Sequence, residues 1–190
     1  VALTYWDWVV RRDNTIFWPA RGIVVMCAGL CGSTAIKAAA IGAPSENVHL
    51  DPRLRYVRNT DLASLGLPVV AIWRDPVERW CAWWRELNRL PSHPFYPDIA
   101  DLSDLDGVID WTAAHIDRRD FHFHPLRRLY SLGGAQLPGR FIHLSALSEA
   151  WPEIPPRAPG APVALTNAQR DRLRALYAVD YRLLEALSLS

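Results

Sequence analysis

The chain has a single lysine, Lys37, in 190 residues; every other basic side chain is arginine. It has no marked charge excess either, since 21 basic residues stand against 20 acidic ones. Without a global basic field, nucleic acid and anionic membrane surfaces drop out as partners, while a local anion site stays open. No apolar run approaches the ~20 residues that a membrane-spanning helix needs. A secretory leader is not expected: in residues 1–12 the charges follow the apolar residues, the wrong order for an export signal. Cysteine is scarce and odd in number, at positions 27, 31 and 81. Cys27 and Cys31 have no His or Cys partners at zinc-finger spacing, so the expectation is buried thiols in a reducing cytoplasm. No internal repeat is visible. What is plentiful is apolar: half the residues are hydrophobic and nine are tryptophan. That composition predicts a packed globule, and the length predicts one domain over residues 1–190.

The most informative stretch is Ile23 to Ala40, IVVMCAGLCGSTAIKAAA. Ile23–Cys27 has the length and β-branched content of a buried strand. Gly29, Gly32, Ser33 and Thr34 follow, and Ala35–Ile41 reads as helix. A strand, a small-residue turn and a helix together aim backbone N–H groups and a helix N-terminus at an anion. Lys37 falls in the first turns of that helix. The expectation is a loop that cradles phosphate or sulfate.

The rest of the chain supplies a second unit of the same kind. Leu67–Trp73 reads as a strand that runs into Arg74-Asp75-Pro76, and Val77–Leu90 reads as a helix. Pro76 suits the first helical turn and Asp75 the N-cap. Arg74 then lies at the C-terminal end of a parallel-type strand, the edge where open α/β sheets bind ligands. Asn47–Leu50 is a short strand candidate, Arg53–Arg58 a basic exposed run, and Arg140–Leu144 a third strand. Residues 1–19, with Tyr5, Trp6, Trp8, Phe17 and Trp18, read as a hairpin-like or irregular lead-in that packs on the sheet, with a turn at Asp13-Asn14. Leu105–Ile116 and Leu165–Leu187 read as helices, the second long, amphipathic and capped by Thr166. Residues 152–162 carry five prolines and read as a linker or surface wrap. Asp98, Asp101, Asp104 and Asp106 lack the glycine and closing glutamate of a calcium loop. His122 and His124 would share one side of an extended chain, but no third ligand is in place for a metal. The fold class that emerges is α/β.

Four segments in order resemble the sulfotransferases that use 3′-phosphoadenosine-5′-phosphosulfate (PAPS), closest to their carbohydrate-type and bacterial branch. Gly32-Ser33-Thr34-Ala35-Ile36-Lys37 is similar to the family's GSTSLK/R loop. Trp73-Arg74-Asp75-Pro76-Val77-Glu78-Arg79 resembles its (V/I)RDPxER. Asp120-Phe121-His122-Phe123-His124-Pro125-Leu126 resembles DxHFRPQ. Leu176–Leu184, with Asp180-Tyr181, resembles the closing IYxxDYELF helix. Phe141–Leu147 stands where the family has a strand ending in RLEDL.

The resemblance implies a three-layer sandwich, a central and mostly parallel sheet flanked by helices, with P-loop NTPase-like architecture. It implies that Cys31, Gly32, Ser33, Thr34 and Lys37 hold the 5′-phosphosulfate of PAPS and that Arg74 grips the 3′-phosphate of PAPS or its product PAP. It implies a neutral histidine as base, His49 ahead of His122, with Lys37 assisting at the transferred group and no metal. The acceptor would be a hydroxyl or amine of a small molecule or carbohydrate. The departures are specific. The family's Pro-Lys before the loop is Gly29-Leu30, and the serine eight residues after the arginine is Ala82. The glutamine of the histidine segment is Leu126, and the Glu-Asp of the third strand is Ser145-Ala146. These departures sustain a rival, a catalytically inactive nucleotide-binding protein. A P-loop kinase is the other rival, and it is opposed by the lack of a lysine directly before Ser/Thr and of a magnesium-binding aspartate ending a strand.

Overall fold

A computed structural model of the chain describes residues 15–43, 48–89, 99, 102, 104–116, 124–132, 135–136, 139–156 and 160–188. In chain order the elements are β1 (Thr15–Trp18), β2 (Ile23–Cys27), α1 (Ser33–Ile41), β3 (Arg55–Tyr56), α2 (Leu62–Leu65), β4 (Val69–Trp73) and α3 (Pro76–Arg89). They continue with α4 (Leu105–His115), α5 (Leu126–Leu129), β5 (Ser131–Leu132), β6 (Ala135–Gln136), β7 (Arg140–His143), α6 (Leu147–Ala150), α7 (Asn167–Leu176) and α8 (Ala178–Ser188). Short 3-10 turns lie at Pro19–Arg21, Val48–Leu50, Asn59–Asp61 and Leu144–Ala146. No helix among the described residues is long and apolar enough to cross a membrane. The fold is α/β.

The chain divides into two compact units. The first joins Val1–Arg74 with Tyr130–Ala158 and holds a five-stranded sheet of order β3-β1-β2-β4-β7. Its β2, β4 and β7 are parallel, in register from Val24↔Val69 to Cys27↔Ile72 and from Val70↔Arg140 to Trp73↔His143. β1 runs antiparallel to both β2 and β3, so the sheet is mixed. The reason lies in the lead-in. Thr15–Trp18 enters the sheet as its second strand, turned back onto β2 by Pro19–Arg21 and the left-handed Gly22. Ile16 and Trp18 are buried there, and Trp18 meets Trp151 edge to face at 5.2 Å. Asp13-Asn14 lies outside the described residues. Gly139 opens β7 because a side chain at that position would meet the Val69 carbonyl oxygen at 2.5 Å. β5 and β6 form a separate antiparallel hairpin.

Of Asn47–Leu50, read as a short strand, Val48–Leu50 is a 3-10 turn and Asn47 lies outside the described residues. Asp51 N–H closes onto Val48 O at 3.1 Å, and the Asp51 carboxylate accepts from Arg53 N–H at 2.9 Å, an Asx-type turn that folds the segment back. This bend determines where His49 sits.

The second unit joins Asp75–Leu129 with Pro159–Ser190, and its described elements are helices. Asp75 caps α3 by accepting from Glu78 N–H at 2.9 Å, and it accepts from the Tyr181 hydroxyl at 2.9 Å. Trp80 Nε1 donates to Thr112 Oγ1 at 3.0 Å, which ties α3 to α4, and Trp83 stacks on Trp111. The long C-terminal helix expected over Leu165–Leu187 is two helices, α7 and α8. Thr166 does form a capping box with Gln169. The break comes at the buried Tyr177. It lets the fully buried Asp180 accept from Leu126 N–H (2.8 Å) and Arg127 N–H (2.9 Å), so one carboxylate caps α5.

Candidate functional site

The site develops at the C-terminal edge of the three parallel strands. Cys27 and Ile72 are register partners, so the turns that follow β2 and β4 leave the sheet side by side. After β2 the chain turns tightly, with Cys31 N–H donating to Ala28 O at 3.1 Å. Leu30 holds a left-handed conformation (φ 65°), and so does Gly32 (φ 78°). Gly32 cannot be replaced without strain, because a Cβ there would lie 2.9 Å from Leu144 Cδ1. Gly32 is the N-cap of α1, and the first intrahelical bond runs from Ile36 N to Gly32 O at 3.1 Å. The N–H groups of Ser33, Thr34 and Ala35 therefore have no acceptor within the helix. No acidic side chain occupies that first turn to neutralise the positive helix end.

Arg74, directly after β4, reaches across to the first turn: its Nη1 is 3.5 Å from Leu30 O. Between the two strand ends stands the hydroxyl of Tyr130. It accepts from Ala28 N–H at 3.0 Å and donates to Ile72 O in a short bond. That oxygen bridges the two backbones where the turns begin. His143 ends β7 at the same edge, its ring 4.4 Å from that of Trp73 and its Nδ1 accepting from Ser145 N–H.

A second cluster lies behind α1. His49 Nε2 is 3.1 Å from Thr34 Oγ1, and His49 Nδ1 is 3.0 Å from Lys37 Nζ. Lys37 is 1% exposed, and its Nζ lies 5.1 Å from the centroid of the Tyr56 ring. The Tyr56 hydroxyl donates to His49 O at 3.1 Å. Burial pushes the Lys37 ammonium down to about 8, against a smaller opposing influence from Cys27. Burial pushes the Cys27 thiol up to about 12, with Lys37 opposing, so Cys27 is uncharged at neutral pH. No ionised thiolate therefore faces Lys37 under ordinary conditions, and burial decides its behaviour.

Of the expected site residues, Cys31, Gly32, Ser33, Thr34 and Lys37 of the loop, the base candidate His49 and the 3′-phosphate ligand Arg74 fall within this one unit, and Thr34, Lys37 and His49 are hydrogen-bonded together. Three expectations change in detail. Cys31 uses its N–H inside the turn and its side chain is fully buried, because the tight turn folds it inward. The Lys37 ammonium is aimed at His49 and Tyr56, since position 37 sits on the buried face of α1. His49 has both ring nitrogens engaged, so an acceptor's proton has no ready lone pair to meet there. Ala82 lies in α3 of the other unit, and its methyl has no polar atom to offer. His122 lies outside the described residues. Its neighbour His124 is buried and accepts at its carbonyl from Arg79 Nη1 at 2.5 Å.

Tyr130 and Tyr56 were not foreseen. Neither stands in a motif: Tyr130 follows a two-arginine turn, and Tyr56 sits among arginines that dominate the local pattern. Comparison of the chain with protein-family models, with curated proteins and with solved structures finds no match.

Proposed function

We propose that the chain is a PAPS-dependent sulfotransferase, built on the three-layer, P-loop-like architecture of that family, that transfers a sulfuryl group to a hydroxyl or amine of a small-molecule or carbohydrate acceptor. One observation carries the reading: the Gly-Ser-Thr turn and the Arg-Asp-Pro turn leave adjacent parallel strands at one edge, with Arg74 reaching toward Leu30. A doubly phosphorylated nucleotide needs two anion sites, and in this reading each turn supplies one. The residues fit such a ligand through the uncapped, acid-free start of α1 and the planar guanidinium of Arg74.

PAPS supplies the activated sulfuryl group. In the transfer, the S–O bond to the 5′-phosphate breaks, a new S–O bond forms to a hydroxyl acceptor or an S–N bond to an amine, and PAP leaves. Charge spreads over the equatorial oxygens, so positioning and electrostatics are the protein's contribution. The N–H groups of Ser33, Thr34 and Ala35 and the hydroxyls of Ser33 and Thr34 bind the 5′ end. Arg74 binds the 3′-phosphate. The acceptor's proton goes to a neutral histidine. His49 takes it only by giving up a present hydrogen bond, which leaves His122 as the other candidate.

A second reading is favoured by Leu30, whose side chain cannot replace the family's lysine at the leaving oxygen: an inactive relative that binds nucleotide without transfer. A thermal-shift titration with PAP tests both. At one hundred times Kd, binding adds ~2.7 kcal/mol, a shift of roughly 5–10 °C for a chain of this size. Arg74→Ala should abolish most of that shift. No shift with the wild type refutes the sulfotransferase reading, and a shift without transfer from PAPS to any of a broad acceptor panel selects the inactive relative.

A further inference from the structure

We propose that Lys37 and His49 are positioning residues in a directed relay: the buried ammonium fixes His49 as its Nε2–H tautomer, and His49 in turn leaves the Thr34 hydroxyl proton as a donor for a fully ionised oxyanion at the start of α1. The identity of that oxyanion rests on the sulfotransferase reading; the relay does not.

The argument follows the donors. An ammonium has three N–H donors and no acceptor. With Nζ 3.0 Å from His49 Nδ1, that nitrogen must offer its lone pair, and the single ring proton of the neutral imidazole is on Nε2. Nε2 lies 3.1 Å from Thr34 Oγ1, so the ring donates and the threonine oxygen accepts. The hydroxyl proton is then directed to another acceptor. Thr34 is exposed and Lys37 is buried, so the relay runs from the interior to the surface. It ends on the helical turn whose N–H groups lack intrahelical acceptors. Tyr56 holds both inner members, its ring against the ammonium and its hydroxyl on the His49 carbonyl. A hydroxyl constrained to donate suits an oxygen that can only accept, as in a sulfate or phosphate ester, and disfavours a protonated or neutral group at the same place.

The experiment reads the tautomer directly. In protein labelled with nitrogen-15 histidine, long-range proton–nitrogen correlations at pH 7 give the His49 tautomer, assigned by the signals lost in His49→Gln. The expected result, with no ligand added, is Nε2–H in the wild type, a mixture in Lys37→Met and recovery in Lys37→Arg. Thr34→Val keeps the tautomer and weakens PAP binding by about tenfold or more, the loss of one hydrogen bond to a charged group. A wild-type His49 that is Nδ1–H or doubly protonated overturns the relay, as does unchanged PAP affinity in Thr34→Val. A wild type that fails to bind PAP removes the sulfotransferase reading instead, and the tautomer still decides the relay.

Discussion

Removing the Tyr130 hydroxyl alone should weaken the sheet-bearing unit out of proportion to the change. Tyr130→Phe deletes one oxygen and keeps the ring, including its edge-to-face contact with Phe141 at 6.3 Å. That oxygen serves two buried backbone groups, the Ala28 N–H and the Ile72 carbonyl. Ala28 is 3% exposed and Ile72 is not exposed at all, so water cannot replace the hydroxyl unless the strands open. Each orphaned group costs ~1–3 kcal/mol, and partial closure of the gap recovers some of it. The expected loss is about 2–4 kcal/mol, a large share of the ~5–15 kcal/mol that typically holds a fold together. Two units need not unfold together, so urea denaturation is best read beside hydrogen exchange of the Ala28 amide, which reports on this unit alone. A loss below about 0.5 kcal/mol, with Ala28 still protected, would show that the hydroxyl does not hold these strand ends.

Further outcomes are expected. Gly32→Ala forces a side chain into a left-handed residue and against Leu144, and should cost ~1–3 kcal/mol in urea denaturation; a neutral result would mean that the turn can reshape. Lys37 is lowered from 10.5 to about 8 in the folded chain. Between those values the unfolded state binds the proton and the folded state does not, so this group destabilises the fold below pH 8 and the deficit fades as pH rises toward 10.5. The stability difference between wild type and Lys37→Met should therefore move by up to ~3 kcal/mol across that window, and a flat difference would count against a charged, buried Lys37. Asp180→Ala leaves the Leu126 and Arg127 N–H groups without their carboxylate. It should cost ~2–4 kcal/mol, read by denaturation together with exchange of those two amides; continued protection of both would refute the cap.

The strands and helices legible in the sequence were those whose local signal and tertiary role agree. Ile23–Cys27 and Val69–Trp73 are apolar runs that end up central and parallel, and Asp75 and Thr166 both accept the backbone bonds that caps should. Two features depended on partners distant in the chain and a third on a local turn. Thr15–Trp18 is a strand only because β2 and β3 flank it. The helix after Thr166 breaks at Tyr177 where Asp180 turns to the start of α5, which no periodicity reveals. His49 sits in a turn instead of ending a strand, and its placement depends on Asp51 folding the chain back. In the candidate site, the loop and Arg74 were readable because glycine and arginine leave a pattern. Tyr130 acts through its hydroxyl and Tyr56 through its hydroxyl and ring, both brought in from outside any motif, and a lone tyrosine in a sequence carries no sign of that.

The sheet-bearing unit is assembled from two stretches of chain, and this bears on its birth at the ribosome. Val70 finds its partner Arg140 only 70 residues later. At ~5–20 residues per second, the outer side of β4 waits roughly 4–14 s for β7. Throughout that interval a nascent strand of Val, Ala, Ile and Trp shows an open hydrogen-bonding side, the kind of surface that recruits a chaperone or a neighbouring nascent chain.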